Sequence, residues 1–452
     1  MEHQWKGKRV AYEPVGVVEV LLWGRRLGAV ARNPASTWYA FAFDPDWVGS
    51  GIEVAPLHMA LRDEPYEFPG LNPATFQRLP PLLADALPDT FGNALVDAWM
   101  AQQGVDTGSI TPLDRLGYAA DRAMGALEFR PPARPDDGTQ PTAVALADLV
   151  EVARSTVRGE LATDEAAKAA LQQLIQVGTS AGGARPKAVV AFNPATSQVR
   201  TSYGEIPDGF EHWLIKLDGV TSMGLDGHGS DLGASAPYGR IEYAYHLMAV
   251  ASGITMAPSQ LLAEGPRRHF MTRRFDRGPG NQRHHVISLC ALAHLDFNML
   301  ATHSYDQYLQ TITALGLDDA ALAEAYRRMV FNVAGVNRDD HTKNFSFLRQ
   351  QGGPWQMSPA FDVTHAYRAD STWTSKHLMA VNGKFDAITI ADLHAVGDRH
   401  DVPGYRGIVR DVFAVLDDWP RFAADAEVPA DVVEAIGADL TAFRPARAAR
   451  MA

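Results

Sequence analysis

An α+β chain, with a β-rich leading segment followed by two lobes of which the second is mostly helical, is the architecture the sequence predicts. Three observations carry it. From Lys8 to Val48, β-branched and aromatic residues gather in short runs, Val15 to Val20 and Trp38 to Phe43, separated by the turn signals Gly24-Arg25 and Asn33-Pro34. Short apolar runs at Ala188 to Phe192, His212 to Leu217, Gln260 to Ala263 and His269 to Phe275 read as strands, with one helix, Arg240 to Ser252, among them. Beyond Phe275 the periodicity is mostly helical, as in Ala320 to Val336, where Leu322, Tyr326, Met329 and Val333 form one apolar stripe. The expected divisions are residues 1–132 for the β-rich subdomain, 142–275 for the first lobe and 276–452 for the helical lobe. The stretch Pro131-Pro132-Ala133-Arg134-Pro135-Asp136-Asp137-Gly138 is the clearest linker.

Within the leading segment, Pro88-Asp89 opens a helix through Trp99. Asp89 is placed as its N-cap, and Phe91, Leu95 and Trp99 lie along one face. A second helix covers Leu113 to Tyr118, and Gly125 to Phe129 follows it. Val144 to Arg158 and Asp164 to Val177 read as two more helices, the second leading into a glycine-rich segment, Gly178 to Lys187. The helix from Arg240, with Ile241, Ala244, Met248 and Ala251 on one side, stops at Gly253.

Composition is that of a soluble globular protein, 46% apolar and 21% charged, and a length of 452 residues suffices for two or three domains. A net charge of -12 argues against a protein that grips nucleic acid over its whole surface, since such binding needs clustered Lys and Arg. The single cysteine, Cys290, can form no internal disulfide, which fits a reducing cytoplasm, and its apolar surroundings suggest a packing role. The amino terminus does not read as a secretory signal and no run is long enough to span a bilayer, so the expected location is cytoplasmic, with no membrane partner.

The chemistry concentrates in Asn337-Arg338-Asp339-Asp340-His341-Thr342-Lys343-Asn344, which leaves the Ala320 to Val336 helix directly. Asp339 and Asn344 stand five apart, the offset at which a kinase catalytic loop places its base and its metal-binding amide. Asp362, in Ser358-Pro359-Ala360-Phe361-Asp362, is then a second metal ligand. Magnesium keeps several waters, so one carboxylate, one amide oxygen and nucleotide phosphates are enough to hold it. A plain alternative is a solvated polar loop after a helix. The spacing alone leaves open whether Asp339 or Asp340 faces a substrate; the five-residue offset favours Asp339.

Three weaker signals precede the loop. The glycine-rich segment can bring backbone N–H groups close to phosphates, but it is no Walker A loop, because Ala184 follows Gly183 where Lys-Ser/Thr is needed. Lys216, in the apolar strand Trp213-Leu214-Ile215-Lys216-Leu217, needs a partner or a route to water. Glu242, expected on the first turn of the following helix, is the natural carboxylate to hold it, although an acidic residue there also suits the helix dipole. Glycine-rich loop, strand lysine, helix glutamate, hinge strand, Asp-x-x-x-x-Asn loop and late Asp follow the order of parts in a two-lobed kinase. His-Arg-Asp, Asp-Phe-Gly and Ala-Pro-Glu are missing.

With those departures, Ser180-Ala181-Gly182-Gly183-Ala184-Arg185-Pro186-Lys187, Thr272-Arg273-Arg274-Phe275-Asp276-Arg277 and Asp339-Asp340-His341-Thr342-Lys343-Asn344 resemble the HipA family of toxin kinases. Leu87-Pro88-Asp89-Thr90-Phe91-Gly92 and Asp121 to Phe129 look like elements of the same family, so the likeness runs to about Asp401; the tail beyond it matches no motif. The resemblance implies a serine/threonine kinase using ATP and Mg2+, with a β-rich N-terminal subdomain on a two-lobed, protein-kinase-like body. On it Asp339 is the base, Asn344 and Asp362 hold the metal, and Lys216, paired with Glu242, meets the phosphates. Gly182, Gly183, Ala184, Arg185 and Lys187 cover the triphosphate, and Arg273, Arg274 and Phe275 form an adenine-facing hinge. His341 and Lys343 complete the catalytic loop, Lys343 stabilising the transferred group. Ser180 matches the family's autophosphorylated position, where added negative charge repels nucleotide and switches the kinase off. The implied partners are a small DNA-binding antitoxin of the HipB type, through which any DNA contact is made, and a protein substrate, the family's targets including an aminoacyl-tRNA synthetase. A small-molecule phosphotransferase and a nucleotide-binding pseudokinase are the alternatives.

Overall fold

A computed structural model describes residues 12–131, 186–202, 205–218 and 237–446. The glycine-rich residues Gly182, Gly183, Ala184 and Arg185, the serine Ser180 and the two helices expected between 144 and 177 lie outside the described residues.

The leading segment forms a four-stranded antiparallel sheet in the order β3-β2-β1-β4, from β1 (Val17–Leu22), β2 (Arg25–Arg32), β3 (Tyr39–Phe43) and β4 (Leu127–Arg130). Alternation drives it. In β3 the buried residues are Tyr39, Phe41 and Phe43, every second position facing the core. Helix α1 (Thr90–Gln102) leaves this sheet's company. Asp89 caps it, its Oδ1 accepting from Gly92 N at 2.7 Å, and Phe91, Leu95, Val96 and Met100 bury against Val190, Phe192, Ile215 and Met271. Each such burial is worth about 1.5–3 kcal/mol relative to exposure. The leading segment is thus fastened into the first lobe. Helix α2 (Pro112–Ala119), opened by the Thr111/Asp114 capping box, returns the chain towards β4.

The first lobe is a five-stranded antiparallel sheet in the order β6-β5-β7-β9-β8, from β5 (Lys187–Asn193), β6 (Gln198–Thr201), β7 (Glu211–Lys216), β8 (Ser259–Glu264) and β9 (Arg267–Arg273). Helix α3 (Tyr238–Ala251) packs against β8 and β9 and ends where Gly253 takes φ +82°, a conformation glycine adopts without steric cost. It starts two residues earlier than the sequence predicts, which moves Glu242 from the first turn to the second. The helix dipole therefore no longer accounts for that carboxylate.

The second lobe holds α4 (Tyr305–Ala314), α5 (Asp319–Ala334), α6 (Ile390–Arg399), α7 (Tyr405–Leu416), α8 (Trp419–Asp425) and α9 (Ala430–Ala442). It also carries a small antiparallel sheet, β10 (His285–Ser288), β12 (Ser346–Arg349) and β13 (Trp355–Met357), and a two-residue parallel pair, β11 (His303–Ser304) with β14 (Met379–Ala380). The lobe is mostly helical, as expected; these strands, which the sequence did not announce, are too short for period-two alternation to stand out. No helix among the described residues is long and apolar enough to cross a membrane.

His285 ties the leading segment to the second lobe. It is fully buried, its Nε2–H donating to the Val54 carbonyl at 2.8 Å, and its Nδ1 has no hydrogen-bond partner. A proton on Nδ1 would face nothing, and burial pushes the imidazole down to about 4. The unfolded chain therefore takes up that proton first, near the ordinary histidine value of ~6.5. Stability should be full above that pH and fall between it and about 4, as protons favour the unfolded chain. Melting temperatures measured across this window should decline, and more steeply in the parent than in His285→Gln, which keeps a donor but cannot ionise. An equal decline in both would remove His285 as a cause.

Candidate active site

In the antiparallel register of β5 and β7, Lys187 lies directly opposite Lys216, so both side chains stand on one face. Two lysines opposed on a sheet repel one another, and both are largely buried, so negative charge must be close by. Three carboxylates supply it. Lys216 Nζ meets Glu242 Oε1 at 2.6 Å and also contacts Asp362 Oδ1, while Lys187 Nζ lies 3.5 Å from Asp89 Oδ2. Burial alone would push the Lys216 ammonium towards neutrality; Asp362 and Glu242 outweigh it and hold the group above its ordinary value. Burial likewise works against the charge on Asp362, but Lys216 and Lys187 overcome it and keep the carboxyl well below the usual range. Asp89 goes the other way, because its burial exceeds the pull of Lys187 and raises it. Lys187, expected within the glycine-rich loop, is in fact the first residue of β5.

Helix α5 delivers the loop. Gly335 ends it, Val336 takes φ 55°, and Asn337 bridges to Ala366 in parallel. A β-branched residue held in the left-handed region is a strained conformation that surrounding contacts must enforce. Asp362 also has positive φ, 52°, which turns its carboxylate towards Lys216. The two adjacent aspartates then separate by environment. Asp340 is buried and accepts from the Tyr305 hydroxyl at 2.8 Å, His377 Nδ1 at 2.9 Å and Leu378 N at 2.7 Å. Asp339 is the more exposed carboxylate, 40% accessible, accepting from Trp373 Nε1 at 2.6 Å with His341 Nε2 3.7 Å away. The geometry makes Asp340 a scaffold and leaves Asp339 accessible.

Asn344 Nδ2 donates to the Asp339 carbonyl oxygen at 2.8 Å, which leaves the amide oxygen for a ligand. Asn344 and Asp362 line one small cavity, together with Asp340 and Phe361. Among the described residues no three His, Cys, Asp or Glu side chains gather as a metal site, so an ion held here would take part of its coordination from a ligand's oxygens. Lys343 lies over the Phe297 ring at 5.2 Å, and Phe297 packs on His341 at 5.5 Å between ring centres.

Of the three expected hinge residues, Arg274 has its side chain taken up within the protein: its guanidinium is buried and bound to Asp276, at 2.8 and 2.5 Å, and to the Ala123 carbonyl at 3.2 Å. Arg277 joins the same carboxylate at 2.6 Å and Gly125 N donates to it at 2.7 Å. Gly125 has φ +85° and a Cβ there would meet Val286 N at 3.0 Å, so only glycine fits. The arginine fastens the leading segment to the end of β9. Arg273 pairs with Glu211 at the sheet edge, 3.2 Å, and Phe275 stacks on Phe361 with ring centres 5.8 Å apart. Cys290 is buried as expected, its thiol pushed up to about 12 by burial.

Sequence reasoning missed Asp89 as a partner for Lys187 and missed Trp373 and Phe297 altogether. A tryptophan inside Ser371-Thr372-Trp373-Thr374-Ser375 was the available signal, since nothing apolar nearby in sequence explains it.

Residues 179–443 match the model of the HipA-like C-terminal domain, and residues 18–130 that of the HipA N-terminal domain. The chain belongs to the HipA family. Among solved structures, it is similar to HipA in the complex of the toxin–antitoxin system HipA, HipB and its operator DNA from Shewanella oneidensis MR-1. Identity is 18%, with a TM-score of 0.64 over 94% of this chain and 96% of that one, so the likeness shows the fold. The proinflammatory kinase CtkA of Helicobacter pylori aligns over 58% of this chain and 93% of that one at 10% identity and a TM-score of 0.32. No curated protein matches. The HipA fold, kinase-like with a β-rich leading region and a helical second lobe, is thus the fold of this chain, as the resemblance implies.

Proposed function

We propose that this protein is a serine/threonine protein kinase that uses ATP and Mg2+, acting as the toxin of a toxin–antitoxin pair. One observation carries the reading. Lys216 is held between Glu242 and Asp362, an arrangement that matches what the lysine–glutamate pair of a kinase and its late metal-binding aspartate require. Membership of the HipA family supports it.

On this reading Lys187 and Lys216 offer two ammonium groups to phosphate oxygens, and Asn344 and Asp362 supply oxygen ligands to the ion. Bound Mg2+ would neutralise charge on the phosphates. Asp339 receives the proton of the acceptor hydroxyl, with His341 Nε2 3.7 Å from it, and Lys343, lying over Phe297, completes the loop. Autophosphorylation of Ser180, adding close to two negative charges, serves as the off switch. The antitoxin is a HipB-type DNA-binding protein, in keeping with an acidic chain that leaves DNA contact to its partner, and the substrate is a protein such as an aminoacyl-tRNA synthetase.

The test is transfer of labelled phosphate from ATP, with and without Mg2+, to protein fractions and to a panel of small alcohols. Label on protein serine or threonine and on Ser180 is expected. Label confined to small alcohols would replace the reading with a small-molecule phosphotransferase, and no Mg2+-dependent transfer at all would reduce the protein to a binding role.

A further inference from the structure

The segment after Asp362 folds back over the catalytic loop, and that loop itself fixes it there. Arg338, buried between the rings of Tyr367 and Phe443 at 4.7 and 4.2 Å, donates to the Ser375 carbonyl oxygen and reaches Asp386 at 3.4 Å. Asp340 holds His377 and Leu378. The Ser371 hydroxyl accepts from the backbone N–H of both Trp373 and Thr374 at 3.1 Å, closing a tight turn. Trp373 is therefore delivered by anchors on both sides, and its ring is steadied by Phe297, perpendicular to it with centres 6.4 Å apart, and by His341 at 6.0 Å.

The indole N–H ends 2.6 Å from Asp339 Oδ1. A carboxylate on a short side chain rotates freely unless one oxygen is held, and a base is effective only when its accepting oxygen waits at the proton's position. Indole is a donor only, so it can orient the carboxylate without competing for the proton. Oδ1 is occupied and no described residue donates to Oδ2. We infer that Trp373 is a positioning residue for phosphate transfer, its indole N–H fixing Oδ1 of Asp339 so that Oδ2 is presented to the acceptor hydroxyl. The inference rests on the kinase reading above. Protein kinases of the ordinary kind contact a phosphorylated activation segment with the arginine next to the base; here Arg338 is already buried against backbone and aromatic rings, so the segment is assembled without a phosphate.

The test compares the full-length parent with Trp373→Phe, which keeps a ring on Phe297 and His341 but has no N–H. The expected result is a kcat lower by roughly ten- to a hundredfold, the scale of one hydrogen bond to a charged group, with KM for ATP and melting temperature unchanged. A purely structural role would move KM and melting temperature together. A second measurement needs no activity. The indole N–H resonance that Trp373→Phe removes should shift upfield in Asp339→Ala at fixed pH, as the charged acceptor is lost. A parent that transfers phosphate while Trp373→Phe matches it, or an indole resonance indifferent to Asp339→Ala, would overturn the positioning role and leave the kinase reading standing. A faster Trp373→Phe would overturn it too, making the indole a plug in the acceptor's place. Failure of the parent to transfer phosphate would remove the kinase reading itself.

Discussion

Asp339→Asn should lower phosphate transfer by roughly 10²–10⁴-fold, the usual contribution of a general base, and leave thermal stability almost unchanged. Its neighbour should behave in the opposite way. Asp339 is accessible and accepts one hydrogen bond, which an asparagine oxygen can still accept. Asp340 is buried beneath three donors, the Tyr305 hydroxyl, His377 Nδ1 and Leu378 N. Asp340→Ala strands all three. Each unsatisfied buried donor costs about 1–3 kcal/mol, so a loss of about 3 kcal/mol or more is expected. It would also free the segment from His377 to Leu378, so activity falls as a consequence of the fold. Chemical denaturation and single-turnover transfer, measured on both variants, separate the two residues. An Asp339→Asn protein that retains most of its rate, while Asp340→Ala loses its rate without losing stability, would reverse the assignment.

Those two residues also show how far the sequence could be read. The Asp-x-x-x-x-Asn offset picks out Asp339, but only folding shows why Asp340 cannot take its place: its donors come from α4 and from the segment beyond Asp362, 35 and more residues away. Lys216 was legible because a lysine inside an apolar strand must answer for its charge. Lys187 was placed in the loop, because strand register depends on pairing that no local pattern records, and its opposition to Lys216 emerges only in the sheet. In Arg273-Arg274-Phe275-Asp276-Arg277, charge spacing could not reveal which guanidinium turns inward. Asp276 decides it, by gathering Arg274, Arg277 and Gly125 N around one buried carboxylate. The β10-β12-β13 sheet was missed because its strands span three or four residues each, too few for a period to show.

Lys216→Met should have the other large effect, and its pH dependence identifies the cause. The ammonium is the cation shared by Glu242 and Asp362, and a methionine of similar length leaves the two carboxylates facing each other without it. Breaking a buried pair by removing one partner costs about 3–5 kcal/mol, so the variant should unfold at clearly lower urea, and its ATP affinity should fall. In the parent, Asp362 is held well below the ordinary carboxylate range, chiefly by Lys216 against the opposing effect of burial. Its stabilising contribution is therefore present above the unfolded value of ~3.9 and is lost only as pH falls further, so Asp362 adds nothing to the parent's pH dependence between about pH 7 and 5. In Lys216→Met the repulsion raises one carboxylate above its unfolded value, and a group so raised penalises the fold once pH exceeds that unfolded value. The variant should thus be less destabilised relative to the parent at pH 5 than at pH 7. Adding Glu242→Gln should remove both the penalty and its pH dependence, since one carboxylate is then neutral at every pH. A Lys216→Met protein equally destabilised at both pH values would mean that lost packing, and not repulsion between the two carboxylates, is what the lysine's removal exposes.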